Sequence, residues 1–279
     1  MVYIMRDAVS STVGRSELLL TPHGGPEELF RTGPVTVDGG VARLSMATGP
    51  WLHDGDGRPA AGALGVLLDD LLGQAVIVHR PAGSWAVTTE LTIDVGGPLP
   101  ADGSRLDADA EPVSVDDAGG LSRGTVRAAD GSVVAVGTTW SRFVPGVPRS
   151  VLDGAYGPAS VRRGAGSLPE LLGVGWADGV LVLPDRPDLV NPAGRVHGGV
   201  VACAAECAAR RAVARSGLAT ASLRVTYVRP AVAPVVLTPT VLHGGRSLAV
   251  VEVLARGADA RTCAIATVGL RSARPASPR

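Results

Sequence analysis

The chain has 279 residues with 26 basic and 26 acidic side chains, so its formal net charge is zero. Balanced charge gives no general attraction to nucleic acid or to an anionic membrane, while 46% hydrophobic residues are enough to fill the core of one large domain or two modest ones. All 26 basic residues are arginine, which excludes a Schiff-base lysine, a pyridoxal-phosphate anchor and a P-loop lysine.

The first residues, MVYIMRDAVSS, lack the apolar core of a signal peptide. No run approaches the roughly 20 apolar residues of a membrane span, so a cytoplasmic, soluble protein is expected. SELLLTPHGGPEELF holds a short strand or helix. Its His23-Gly24-Gly25 is followed at once by Pro26 and two glutamates, and reads as a turn without chemistry. Three cysteines, Cys203, Cys207 and Cys263, cannot make a disulfide framework. With no His or Cys cluster beside them, they read as small core residues, and neither metal nor cofactor is expected.

Residues 41–143 and 178–272 look like two copies of one unit. DGDGRPAAGALGVLLDDLLGQAV (54–76) lies on NPAGRVHGGVVACAAECAARRAV (191–213) at an offset of 137, setting Asp54 on Asn191, Ala60 on His197, Gly62 on Gly199 and Asp69 on Glu206. Beyond the helix, TTELTIDVGGPL (88–99) lies on TASLRVTYVRPA (220–231) and GSVVAVGTT (131–139) on ARTCAIATV (260–268). The offset falls to 132 and then 129, with the gaps in loops. Each copy predicts a strand, a helix and several strands. Leu91, Ile93 and Val95 alternate with Thr92 and Asp94, and Leu223, Val225 and Tyr227 alternate with Arg224 and Thr226, the pattern of antiparallel sheet with one buried face. An α+β layer arrangement follows. The expected division is a unit over 1–146, a Pro/Gly/Ser-rich linker over 147–167, a second unit over 168–272 opened by a short helix in SLPELLGV, and a tail over 273–279.

In the second copy, Asn-Pro-Ala-Gly leads into His197-Gly198-Gly199, and an apolar helix follows in which Glu206 is an isolated acid. A carboxylate in an apolar helix is costly unless paired, protonated or in use. Amides at a glycine-rich helix mouth stay uncovered and can bind a polarised oxygen. This segment resembles the active-site segment of the PaaI-like hotdog-fold acyl-CoA thioesterases, whose pattern is Asn, then His-Gly-Gly, then an acid on the central helix. The likeness spans roughly Leu168 to Leu270; Glu206 stands where those proteins usually have Asp.

The resemblance implies two tandem hotdog units, each an antiparallel sheet wrapped around a helix. It also implies an acyl-CoA or other acyl thioester as substrate, and further assembly of chains into a homo-oligomer. Fusing two copies would also cover the exposed sheet edges of each. In the family one unit holds the thioester and its neighbour supplies the acid, so two composite sites are conceivable. One joins Asn191, His197, Gly198 and Gly199 to Asp69, with Thr88 near the acid. The other joins Asp54, Ala60, Ala61 and Gly62 to Glu206, with Thr220 near it, and has lost most of the motif. The first is expected to work, with the Gly198 N–H on the thioester carbonyl oxygen. Asp69 would attack the carbonyl or activate a water, His197 would shape the loop, and Asn191 would hold the water or thioester. Asp70, about 100° round the helix, is the rival to Asp69, and Glu206 has a structural alternative, pairing with Arg210. Arg58, Arg195 and Arg229 are candidates for CoA phosphates. A hotdog hydratase and a non-catalytic acyl-binding protein are the competing functions.

Overall fold

The computed structural model describes residues 25–152, 164–213 and 217–272; His23 and Gly24, most of the linker and the tail lie outside them. Twelve strands form one sheet. In the first half these are β1 (Thr36–Asp38), β2 (Val41–Ala47), β3 (Ser84–Val95), β4 (Arg105–Asp116), β5 (Gly119–Arg127) and β6 (Val133–Pro145). In the second they are β7 (Gly175–Ala177), β8 (Val180–Leu183), β9 (Leu218–Tyr227), β10 (Val235–Gly244), β11 (Leu248–Arg256) and β12 (Thr262–Ser272). Among the described residues five α-helices accompany them: α1 (Gly25–Leu29), α2 (Leu64–Ile77), α3 (Arg149–Leu152), α4 (Leu168–Leu172) and α5 (Gly198–Val213).

The spatial order is β1-β2-β4-β5-β6-β3-β9-β12-β11-β10-β8-β7, antiparallel at every pairing. Read from its two ends inward, this is the same order twice. The halves meet where β3 pairs with β9, and there Thr92 faces Arg224, its own counterpart at the offset of 132. A pseudo-twofold axis therefore passes between these two residues.

The sheet's period-two pattern is visible in β4, where Leu106, Ala108 and Ala110 are buried and Arg105, Asp107 and Asp109 face solvent. Helix α2, LGVLLDDLLGQAVI, is apolar nearly all round and lies against β2 to β6; α5 lies against β8 to β12. Glycines bring helix and sheet together: a Cβ at Gly137 would come 2.9 Å from Leu68 Cδ2. The two helices also meet each other through small residues. A Cβ on Gly65 would lie 2.5 Å from the Gly199 carbonyl oxygen, and one on Gly199 would lie 2.4 Å from that of Gly65.

One sequence expectation is corrected. Fusion covers only the inner edges, since β1 and β7 remain as sheet edges; both are three residues long, which limits what can pair with them. The stretch read as linker contains α3, whose Val151 is buried. Helix α4 forms where a short helix is predicted. It is capped by Ser167, whose Oγ accepts the Glu170 N–H, and stopped by Gly173 in the left-handed conformation (φ 66°).

Candidate active site

The repeat reaches hydrogen-bond detail at the two helix mouths. Asp54 Oδ1 accepts the N–H groups of Asp56 and Arg58; Asn191 Oδ1, at the matching position, accepts those of Ala193 and Arg195. Gly57 and Gly194 both take positive φ, 77° and 69°, closing the turn as glycine allows. Each turn aims the following residues into the start of a helix.

At the second mouth, Asp69 of α2 reaches across to α5. Its Oδ2 accepts the Gly199 N–H at 2.9 Å and its Oδ1 accepts the Thr88 hydroxyl at 2.7 Å. Asp69, Thr88, Asn191, His197 and Gly198 line one cavity of about 640 Å³, open at the junction of the two halves. Among the described residues nothing accepts the Gly198 N–H. Its carbonyl accepts the Tyr227 hydroxyl at 2.8 Å, fixing the peptide at the mouth. Burial, and then the charge of Asp69, push the Tyr227 phenol well above its ordinary value, so it stays a hydroxyl donor. Asn191 lines the cavity but spends its Oδ1 on its own turn, leaving the side-chain NH₂ to meet a ligand.

His197 is buried among acids. Its Nε2 lies 3.2 Å from Asp70 Oδ1 and 3.9 Å from Glu27 Oε1, and its Nδ1 lies 3.4 Å from Asp69 Oδ2. Burial alone would lower its pKa, but the hydrogen bond to Asp70 and the charges of Asp70, Asp69 and Glu27 outweigh this and raise it to about 10. Asp70 is itself pushed up, burial outweighing the contacts to His197. Glu27, Asp70 and His197 bring ligand-type atoms within 4.8 Å of one another, which an ion-pair cluster accounts for.

The first mouth is arranged differently. Glu206 of α5 is fully buried, and its carboxylate accepts the Gly62 N–H at 2.7 Å, the Ala61 N–H at 3.1 Å and the Thr220 hydroxyl. Ala61 and Gly62 are the counterparts of Gly198 and Gly199. One methylene longer than aspartate, Glu206 takes both amides where Asp69 takes one. Arg210 bridges Asp54 and lies 4.0 Å from Glu206 Oε1, so the acid is also paired as the structural alternative expects. Burial still raises Glu206, against the lowering pull of Arg210, Thr220 and the two amides.

Residues 186–270 match the family model described as "Acyl-CoA thioesterase N-terminal domain". Solved structures match nearly end to end. A tesB protein of Mycobacterium avium subsp. paratuberculosis aligns with a TM-score of 0.61 at 13% identity, over 86% of this chain and 96% of that one. The 12:0-ACP thioesterase of Umbellularia californica gives 0.59 at 13%, over 84% and 95%. An acyl-ACP thioesterase of Bacteroides thetaiotaomicron gives 0.57 at 14%, over 83% and 98%. The chain has the double-hotdog fold of these structures. No curated protein matches it by sequence. The family match is confined to the second half of the chain and does not single out the PaaI-like type.

Sequence reasoning placed Asp69, Thr88, His197, Gly198 and Gly199 together, and the double hotdog has them together. Gly62 lies at the other mouth, with its N–H on Glu206. Arg195 and Arg229 line the cavity, as do Arg142 and Trp85; Arg58 does not. Trp51 is core, edge-on to Phe30 at 5.8 Å. Glu27 was missed, because a five-residue helix beginning Gly-Pro has no periodicity to read. Asp70 was read as a rival to Asp69, and both reach His197. No helix among the described residues is long and apolar enough to cross a membrane.

Proposed function

We propose that this protein hydrolyses an acyl-CoA, or another acyl thioester, in a composite site assembled from both halves. The second half binds the thioester carbonyl oxygen at the Gly198 N–H, and the first half supplies Asp69. The observation that carries this reading is a mouth amide that no described residue accepts, in the same cavity as a carboxylate already held on two sides. Thioester cleavage gathers negative charge on the carbonyl oxygen, and a donor fixed in advance stabilises that charge without reorganising. The partial positive charge of the α5 N-terminus adds to it.

Two courses fit the acid. Asp69 takes a proton from a water as that water attacks, the C–S bond breaks, and the leaving sulfur takes that proton from Asp69 and departs as a thiol. Alternatively Asp69 attacks the carbonyl itself, the thiolate leaves, and water opens the resulting anhydride. Thr88 and Gly199 hold the carboxylate in either case. Arg142, Arg195 and Arg229 at the cavity are suited to the phosphates of CoA.

The Glu206 side is read as inactive, its carboxylate already occupying both amides. Release of free thiol from a panel of acyl-CoA and acyl-carrier thioesters tests the proposal. Hydrolysis that disappears in Asp69→Asn supports it; tight binding of a thioester with no release by the intact protein would favour an acyl-binding role.

A further inference from the structure

Three carboxylates converge on one imidazole. Asp70 and Glu27 approach Nε2 at 3.2 and 3.9 Å, and Asp69 approaches Nδ1 at 3.4 Å. The acids come from two different elements, α2 and α1, and His197 leads into a third, α5. Both His197 and Glu27 are buried, so solvent does little to screen the cluster. We propose that Glu27 and Asp70 are positioning residues that hold the His197 ring as a fixed cation against Asp69 and the Gly198–Gly199 mouth.

The consequence lies in how the mouth's donors are shared. The Gly199 N–H lies 2.9 Å from Asp69 Oδ2 and 3.1 Å from His197 Nδ1. In a neutral ring with its proton on Nε2, Nδ1 would compete for that N–H. In the cation both ring nitrogens donate: Nε2–H toward Asp70 and Glu27, Nδ1–H toward Asp69. The Gly199 N–H then belongs to Asp69 alone, and the ring cannot swing without breaking an ion pair at each end. The raised proton affinity of His197, set by Asp70, Asp69 and Glu27, agrees with this geometry. Tyr227 also faces the mouth, but its hydroxyl is spent on the Gly198 carbonyl. A charged His197 cannot act as a base, so its part is to hold the loop and place positive charge near the developing oxyanion.

The test is the ring's own charge, read by NMR of histidine-labelled protein between about pH 6 and pH 9, a range that spans the ordinary histidine pKa. The His197 signal is assigned by its loss in His197→Gln. In the wild type it should not move across this range. In Glu27→Gln/Asp70→Asn it should titrate, its midpoint about two pH units lower, since each neighbouring charge at this distance shifts a site by about one or more. The single variants should each lower it part-way, which covers a double variant that fails to fold. A wild-type ring that titrates below about pH 8, or a midpoint that neither single variant moves, overturns the proposal. Its effect on turnover rests on the thioesterase reading. There, kcat/KM in the double variant should fall about tenfold for each pH unit above its midpoint while the wild type holds level. A correct ring charge without any wild-type turnover would sink the thioesterase reading and leave the charge assignment standing; a correct ring charge with turnover unaffected by the variants would remove the positioning role.

Discussion

Thr92 and Arg224 face each other at the middle of the sheet, and each is the other's counterpart in the repeat. A strand pair that joins equivalent residues sets the two halves about a twofold axis. That axis is what carries Asp69 to the mouth of α5 and Glu206 to the mouth opposite. The candidate site is therefore a consequence of register: slipping β3 against β9 would carry each acid away from its amides and turn buried faces outward.

Asp69→Asn keeps the shape that meets Gly199 and Thr88 but cannot accept a proton or attack a carbonyl. Steady-state kinetics should show kcat lower by about 10²–10⁴, the usual worth of a positioned base. KM should stay within about threefold, the sign of an interaction used in the transition state rather than in binding.

Gly198→Ala keeps the mouth amide and tests the placing of Asp69 beside it. Gly198 does not have positive φ, so alanine suits the backbone. Its Cβ, however, would come 2.6 Å from Asp69 Oδ2 and 3.3 Å from Tyr227 Cζ. The carboxylate must move away from the mouth, and kcat should fall by about 10²–10³, as when a positioned base is displaced. Thermal unfolding should shift little, because the methyl can be met by a side-chain adjustment.

Gly65→Ala should do the reverse. Its Cβ would stand 2.5 Å from the Gly199 carbonyl oxygen, and backbone cannot yield as a side chain can. A loss of about 1–3 kcal/mol is expected from overpacking, measured by denaturant unfolding. Activity should fall with it, because the helices part where Asp69 meets Gly199.

Glu206 carries the pH prediction. Burial raises its pKa in the folded state, so the folded protein holds a proton that the unfolded chain has released. Stability from this group is complete below the unfolded carboxylate pKa and is lost as pH rises through the folded value. Glu206→Gln does not titrate there. The difference in Tm, wild type minus variant, should therefore be larger at about pH 4 than at about pH 8. Glu206→Ala, which leaves the Ala61 and Gly62 amides without an acceptor, should cost about 3 kcal/mol or more at neutral pH.

The fold was legible because its signals are long. Strands of nine to thirteen residues repeat their burial every second position, and α2 and α5 are proline-free and mostly apolar, so that Asp69, Asp70 and Glu206 stand out in them. The repeat placed Asp69 and Glu206 at equivalent points although the residues differ. What the sequence leaves open is short or decided by contact across the chain. Glu27 belongs to a five-residue helix, and nothing local ties it to a histidine 170 positions later. Asp70 could not be separated from Asp69 by helical position, since the ring of His197 is large enough to meet both. That Glu206 would seal its own mouth depends on one methylene and on how closely α5 approaches Gly62, where a Cβ would be 3.0 Å from the Cys203 Cα.

Two identical hotdogs that pair as separate subunits must share every change between both of their clefts. In this polypeptide the carboxylate at 206 has become a rivet, binding the helix mouth that a ligand would otherwise fill. One half can thus be tightened for rigidity while the other is tuned for its ligand, and a reagent aimed at the open cleft should saturate at one molecule per chain.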